Sequence, residues 1–267
     1  MTGPAIDAPE TAPEADGETH AATKAAVFAA AERLFALHGF QNVSVRDITA
    51  EAHVNLASVN YHFGSKDALL FEIFRRRTAE LNRERARMLH EANDRHAGRP
   101  PVREILEALF APPLRWAEPA NDRRISVQFI IRARSEGTEQ MRDVLQNDVS
   151  HLARFADALK AARPDLPPEA VYWRLHFCLG MVHNNRFVEF DRLHHLSDGL
   201  TREGDIQALL TRMLDFAEAG FQGCACRRSS PTRGGSRPTG PGVRGTSPRS
   251  TAPACVCIGP TGPTSGT

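Results

Sequence analysis

The stretch Ser44-Val-Arg-Asp-Ile-Thr-Ala-Glu-Ala-His-Val-Asn-Leu-Ala-Ser-Val-Asn-Tyr-His-Phe63, followed by Gly64-Ser65-Lys66-Asp67, decides how this chain is read. Ser44 and Asp47 have the spacing of a capping box, in which each side chain satisfies a backbone donor of the other's turn, and Val45, Ile48 and Ala52 then face inward. A second short helix follows Asn55. Two short helices joined by three or four residues follow the helix-turn-helix plan, whose second helix enters the DNA major groove. That groove admits a helix, and its base edges are chemically distinguishable.

On an ideal helix turning about 100° per residue, Val59 and Phe63 lie on one side and Ala57 and Tyr61 on the other, flanked by Ser58 and Asn60. The first pair packs inward, which leaves the rest to face DNA. The Asn60 amide suits the N6/N7 edge of adenine, Ser58 can bond several base edges, and Ala57 is small enough to meet a thymine methyl. Tyr61, His62 and Lys66, with Arg46 on the preceding helix, suit phosphates, which set register without reading sequence. Ser44 and Asn55, at the two helix starts, complete the candidate DNA contacts.

Outward from this stretch the pattern stays helical, with no convincing strand alternation from about Thr23 to about Gln222. A first helix runs from Thr23 to Gly39, with Val27, Ala30, Ala31, Leu34 and Phe35 on one face. A longer one begins after Ser65 and buries Leu69, Leu70, Ile73 and Phe74. Later segments are expected at Val102 to Trp116 (broken by Pro112-Pro113), Arg123 to Arg134, Glu139 to Ala162, Pro168 to Arg192 and Glu203 to Phe221. The four expected regions are a disordered acidic N-terminus (1–22), a DNA-binding domain (23–82), a helical body (83–222) and a disordered basic tail (223–267).

Composition permits this and excludes little else. Of 267 residues, 41% are hydrophobic and 24% charged, enough for a real core. The net charge of +1 hides five acids without Lys or Arg in Met1 to Ala22 and six Arg without acids in Gly223 to Thr267, so the body between is neutral and any DNA contact must come from local placement. No apolar run reaches the length of a membrane span, and no signal peptide opens the chain, which places it in the cytoplasm. Cys224, Cys226, Cys255 and Cys257 lie in the tail and only Cys178 in the body, as suits a reducing compartment.

The region 23–82 resembles the TetR family of transcriptional regulators in Ala31-Glu-Arg-Leu-Phe35, His38-Gly-Phe40, Val45-Arg-Asp-Ile48, Val54, Tyr61-His-Phe63 and Ser65-Lys-Asp-Ala-Leu69. Two positions depart from it. His53 stands where many members have Gly in the turn, which would require an unusual φ there, and Asn60 stands where many carry Tyr. The resemblance implies an all-α fold: an N-terminal three-helix DNA-binding domain with a helix-turn-helix, and a C-terminal helical ligand-binding and dimerisation domain. It also implies a homodimer on a palindromic double-stranded DNA operator, released by a small amphipathic effector, with no cofactor. The last two body helices would form the dimer bundle, through Val171, Leu175, Leu179 and Val182 on one and Leu209, Leu210, Met213, Leu214 and Phe216 on the other.

Candidate effector contacts are Phe110, Trp116, Phe129, Trp173, Phe177 and Met181, with His176, His183 and Asn184 as orienting polar groups, although core packing is the favoured role for each apolar side chain taken singly. His176 and His183 lie about 10 Å apart along a helix, too far to chelate one ion alone. With neither a His-Glu-x-x-His motif nor a paired nucleophile and base, the reading is of a non-enzyme. The alternative class is a helical lipid or acyl-ligand binding protein without specific DNA binding, which retention on operator DNA at physiological salt would separate.

Overall fold

The computed structural model describes residues 14–183, 191–201 and 205–222, excepting the side chains of 14–18, 191 and 192. Among these residues every regular element is a helix: α1 (Glu14–His38), α2 (Val45–Glu51), α3 (Leu56–Phe63), α4 (Lys66–Arg95), α5 (Val102–Ala117), α6 (Arg124–Glu136), α7 (Glu139–Asn147), α8 (Ser150–Ala162), α9 (Pro168–His183), α10 (Asp191–Leu196) and α11 (Ile206–Phe221). None is long and apolar enough to cross a membrane. The stretches 1–13 and 223–267, read as parts of disordered ends, lie outside the described residues.

Three expectations change. Helix α1 begins at Glu14 rather than Thr23: the prolines at 4, 9 and 13 all precede it, while Ala15, Ala21 and Ala22 favour helix and the early acids suit its positive end. The span expected as one helix from Glu139 to Ala162 divides at Asp148 and Val149. Asp148 there accepts the Ser150 hydroxyl at 2.7 Å, the local bonding with which short polar side chains compete against helix. Of the helix expected from Pro168 to Arg192, Pro168–His183 is described, and 184–190 lie outside the described residues.

The third change is in α5, which runs unbroken through Pro112 and Pro113. Pro113 has no N–H for the carbonyl of Leu109, four residues back, so that acceptor loses its usual partner. Arg85 of α4 supplies one, its Nε donating to Leu109 O at 3.0 Å. An arginine 5% exposed is thereby explained: it repairs the bond that the proline removes.

Two cores result. Around α1–α4, Val27, Phe35, Phe40, Ile48, Val59, Phe63, Leu69 and Phe74 pack together, and Phe129 and Ala133 of α6 join them. The second gathers α5, α8, α9 and α11 around Leu109, Phe110, Leu114, Phe155, Val171, Leu175, Leu210 and Leu214. Helix α4 passes through the expected boundary at 82/83 without interruption. Between α1 and α4, Glu32 takes a two-pronged bond from Arg77, at 2.7 and 2.6 Å. Helix α6 closes the other side of α1. Arg132 Nε donates to Ala36 O at 3.2 Å, and Glu136 accepts the Phe40 N–H at 2.9 Å.

Candidate nucleic-acid interface and effector cavity

The helix-turn-helix is built by its caps. Ser44 Oγ accepts the Asp47 N–H at 3.2 Å and Asp47 Oδ2 accepts the Ser44 N–H at 2.8 Å, so the capping box is complete. The Ser44 hydroxyl, which donates to Asp47 Oδ2 at 2.7 Å, and then the Ser44 N–H hold the Asp47 carboxyl below its ordinary range. Ser44→Ala is expected to cost about 0.5–2 kcal/mol of stability, read as a lower melting temperature by circular dichroism.

The turn between α2 and α3 carries the required φ. His53 sits at +54°, its N–H bonding Ala50 O while that of Val54 bonds Thr49 O, the paired ending of a Schellman motif. Glycine would take this conformation freely; histidine tolerates it better than most residues. Asn55 then caps α3, its Oδ1 accepting the N–H and hydroxyl of Ser58 at 3.1 and 3.2 Å.

On α3, Val59 (0%) and Phe63 (8%) are buried, whereas Ala57, Asn60 and Tyr61 stand exposed and Ser58 and His62 are half-buried. Arg46 is exposed and pairs with no carboxylate among the described residues. Lys66 Nζ donates to Val43 O at 2.7 Å and lies over the Phe35 ring, so it braces the loop before α2 with one of its three donors. One neighbour escaped the sequence reading. His20 stacks on Tyr61, centroids 5.2 Å apart, and meets His62 edge-on, because α1 starts early enough to carry it past the end of α3.

The candidate effector residues do not form one site. Phe110 and Phe129 are wholly buried core side chains, Phe129 against Phe35 and Phe40; Trp116 is also buried, its Nε1 donating to Glu84. Met181 packs against the C-terminal core. Trp173 and Phe177 face outward from α9, 55% and 62% exposed and stacked on each other. Asn184 lies outside the described residues. His176 and His183 do line a cavity of about 680 Å³ between α4, α6, α7, α8 and α9. With them are Thr78, Asn82, Arg85, Arg134, Asp148 and His151, polar groups that reading for apolar stripes overlooked.

Arg134 Nη2 lies 2.8 Å from His183 Nε2. A guanidinium can only donate, so Nε2 accepts and the imidazole is neutral with its proton on Nδ1. Burial, then the charges of Arg134, Arg85 and His151, push the His183 pKa down to about 3 from an ordinary 6.5. Burial likewise lowers His151, and with Arg134 nearby it lowers Arg85 to about 10. Below about pH 6.5 the unfolded chain therefore binds a proton at His183 that the folded chain refuses, so the stability from keeping it neutral is complete above that pH and declines as pH falls toward 3. His183→Gln, which keeps an acceptor for Arg134, is expected to flatten the acid limb of a melting-temperature profile; an unchanged limb would count against this assignment. Cys178 is buried, which raises its thiol to about 11 and makes it a packing residue.

A family model of bacterial regulatory proteins of the tetR family matches residues 27–73, and one of the tetracyclin repressor-like C-terminal domain matches 107–220. The chain belongs to the TetR family. It is a DNA-binding transcriptional regulator built as TetR proteins are, with the helix-turn-helix in its N-terminal match and the cavity described above reaching into its C-terminal one. Solved structures share the fold. A mutant HlyIIR protein with a thrombin-site linker is 17% identical over 73% of this chain and 97% of its own, with a TM-score of 0.52. The superantigen PfiT is 20% identical over 73% and 95%, with a TM-score of 0.52. A putative transcriptional regulator from Pseudomonas aeruginosa PAO1 is 20% identical over 78% and 94%, with a TM-score of 0.50. No curated protein matches.

Proposed function

We propose that this TetR-family chain is a repressor that binds a palindromic operator as a homodimer in the cytoplasm, without enzymatic activity, and releases it when a small amphipathic effector fills the α4–α9 cavity. The observation that carries the reading is the two-sided character of α3. Its apolar residues are buried while Ala57, Asn60 and Tyr61 stand exposed beside Arg46, a base-reading strip next to a phosphate contact. Pairing of two protomers is supported by exposed aromatics on α9 and α11: Trp173 and Phe177 on one, Phe216 (73% exposed) on the other.

Selecting bound genomic fragments with the purified protein identifies the operator, on which two variants then differ. Asn60→Ala is expected to lose roughly 1–3 kcal/mol of discrimination between operator and random DNA. Arg46→Ala should weaken both and lower the salt slope by about one unit. Equal losses by Asn60→Ala on every sequence would remove its assigned role, and failure to enrich any fragment at physiological salt would return the chain to the class of ligand-binding proteins without specific DNA binding.

A further inference from the structure

The α4–α9 cavity has an apolar wall and a cationic end. Phe74, Leu81, Ile130, Ile131, Leu152 and Leu179 supply the first; Arg85 and Arg134 supply the second, with the imidazoles of His151 and His183 beside them. Arg85 is buried and uses its Nε on Leu109 O, with an Nη on Asn82 at 3.4 Å; Arg134 spans to His183. Neither guanidinium has a carboxylate within ion-pairing distance among the described residues, and each His there feels both as repelling charges. Asp148, the only carboxylate among the described residues that line the cavity, turns to the Ser150 hydroxyl instead. Two guanidiniums on one cavity, Arg85 buried and Arg134 exposed at its edge, neither ion-paired to a carboxylate among the described residues, favour an anion, which guanidiniums bind at carboxylate or phosphate oxygens through paired N–H donors. A neutral ligand would leave that repulsion uncompensated; a cation would add to it.

We infer that the effector is an amphipathic anion, a carboxylate or phosphate head on an apolar body of drug-like size, with the head at Arg85 and Arg134 and the body along Ile130, Leu152 and Leu179. This rests on the cavity being the effector site. His183 positions Arg134 by accepting its N–H. The Leu109 carbonyl fixes Arg85 in the same way from the other side.

The test compares four ligands of one chain length on the full-length protein by isothermal titration calorimetry below their micelle concentrations: decanoate, decyl phosphate, decanol and decyltrimethylammonium. At least one anion is expected to bind about tenfold or more tighter than decanol, with the cation weakest; which anion leads separates carboxylate from phosphate heads. Arg134→Gln should remove most of that preference and Arg134→Lys restore part of it, while decanol binding stays unchanged in both. Arg85→Met serves as a second variant, with its fold checked by circular dichroism. Decanol binding as tightly as both anions, an anion preference unaltered in Arg134→Gln, or no binding of either anion would each overturn the inference. Operator retention measured on the same samples keeps the outcomes apart: anion binding without operator binding defeats the repressor reading, and operator binding without anion binding defeats only this one.

Discussion

Gly39→Ala is expected to lower the melting temperature by roughly 5–10 °C, at about 2–4 °C per kcal/mol for a domain of this size. Gly39 ends α1 at φ +91°, where an alanine Cβ costs about 1–2 kcal/mol. That Cβ would stand 2.9 Å from Glu136 Oε2 and 3.0 Å from Arg132 Nη1, so both side chains must move. They are the groups that hold α6 to α1, through the Phe40 N–H and the Ala36 carbonyl, and a hydrogen bond to a charged group is worth about 1.5–3 kcal/mol. Glu136→Gln, which leaves the backbone angle alone, should cost less. A Gly39→Ala protein melting within a degree of the unmodified chain would show that the junction yields freely.

The second large effect separates two residues on one helix. Leu210→Asp is expected to prevent folding altogether, because Leu210 is 1% exposed in the C-terminal core and an unpaired charge there adds to a lost leucine worth about 2–5 kcal/mol, against a total stability of about 5–15. Phe216→Asp, at a side chain 73% exposed, should leave the protomer within about 0.5 kcal/mol of its original stability and convert the proposed dimer to monomer in sedimentation. A folded Leu210→Asp dimer would move the core elsewhere, and a Phe216→Asp dimer would move the interface.

These two positions also show where reading the sequence reached its limit. Period 3.6 identifies an apolar stripe on the last two long helices, and the structure spends Val171, Leu175, Val182, Leu210, Met213 and Leu214 of it inside the protomer. Periodicity finds that a face is buried but not which neighbour buries it, so Leu210 is read as interface and Trp173 and Phe177 as ligand contacts. The DNA-binding region was legible because its signals are local: the Ser44–Asp47 box, the Asn55 cap and the αL demand at His53 act within five residues. The cavity was not. Arg85, Arg134, His151 and His183 come from α4, α6, α8 and α9, and a polar group on an otherwise apolar helix face carries no mark that says whether it meets water, a proline-freed carbonyl or a ligand.

The bond between Arg85 and the Leu109 carbonyl ties two distant positions into one unit of inheritance. Once Pro113 is in place, Arg85 cannot drift to a residue without a donor, since a buried acceptor left bare costs about 1–3 kcal/mol; once Arg85 is in place, the proline is tolerated. Arg85 is thus retained by the scaffold whatever the cavity holds. Changes at Arg134, His151 or Leu179 would then alter the cavity while Arg85 keeps its positive charge in place.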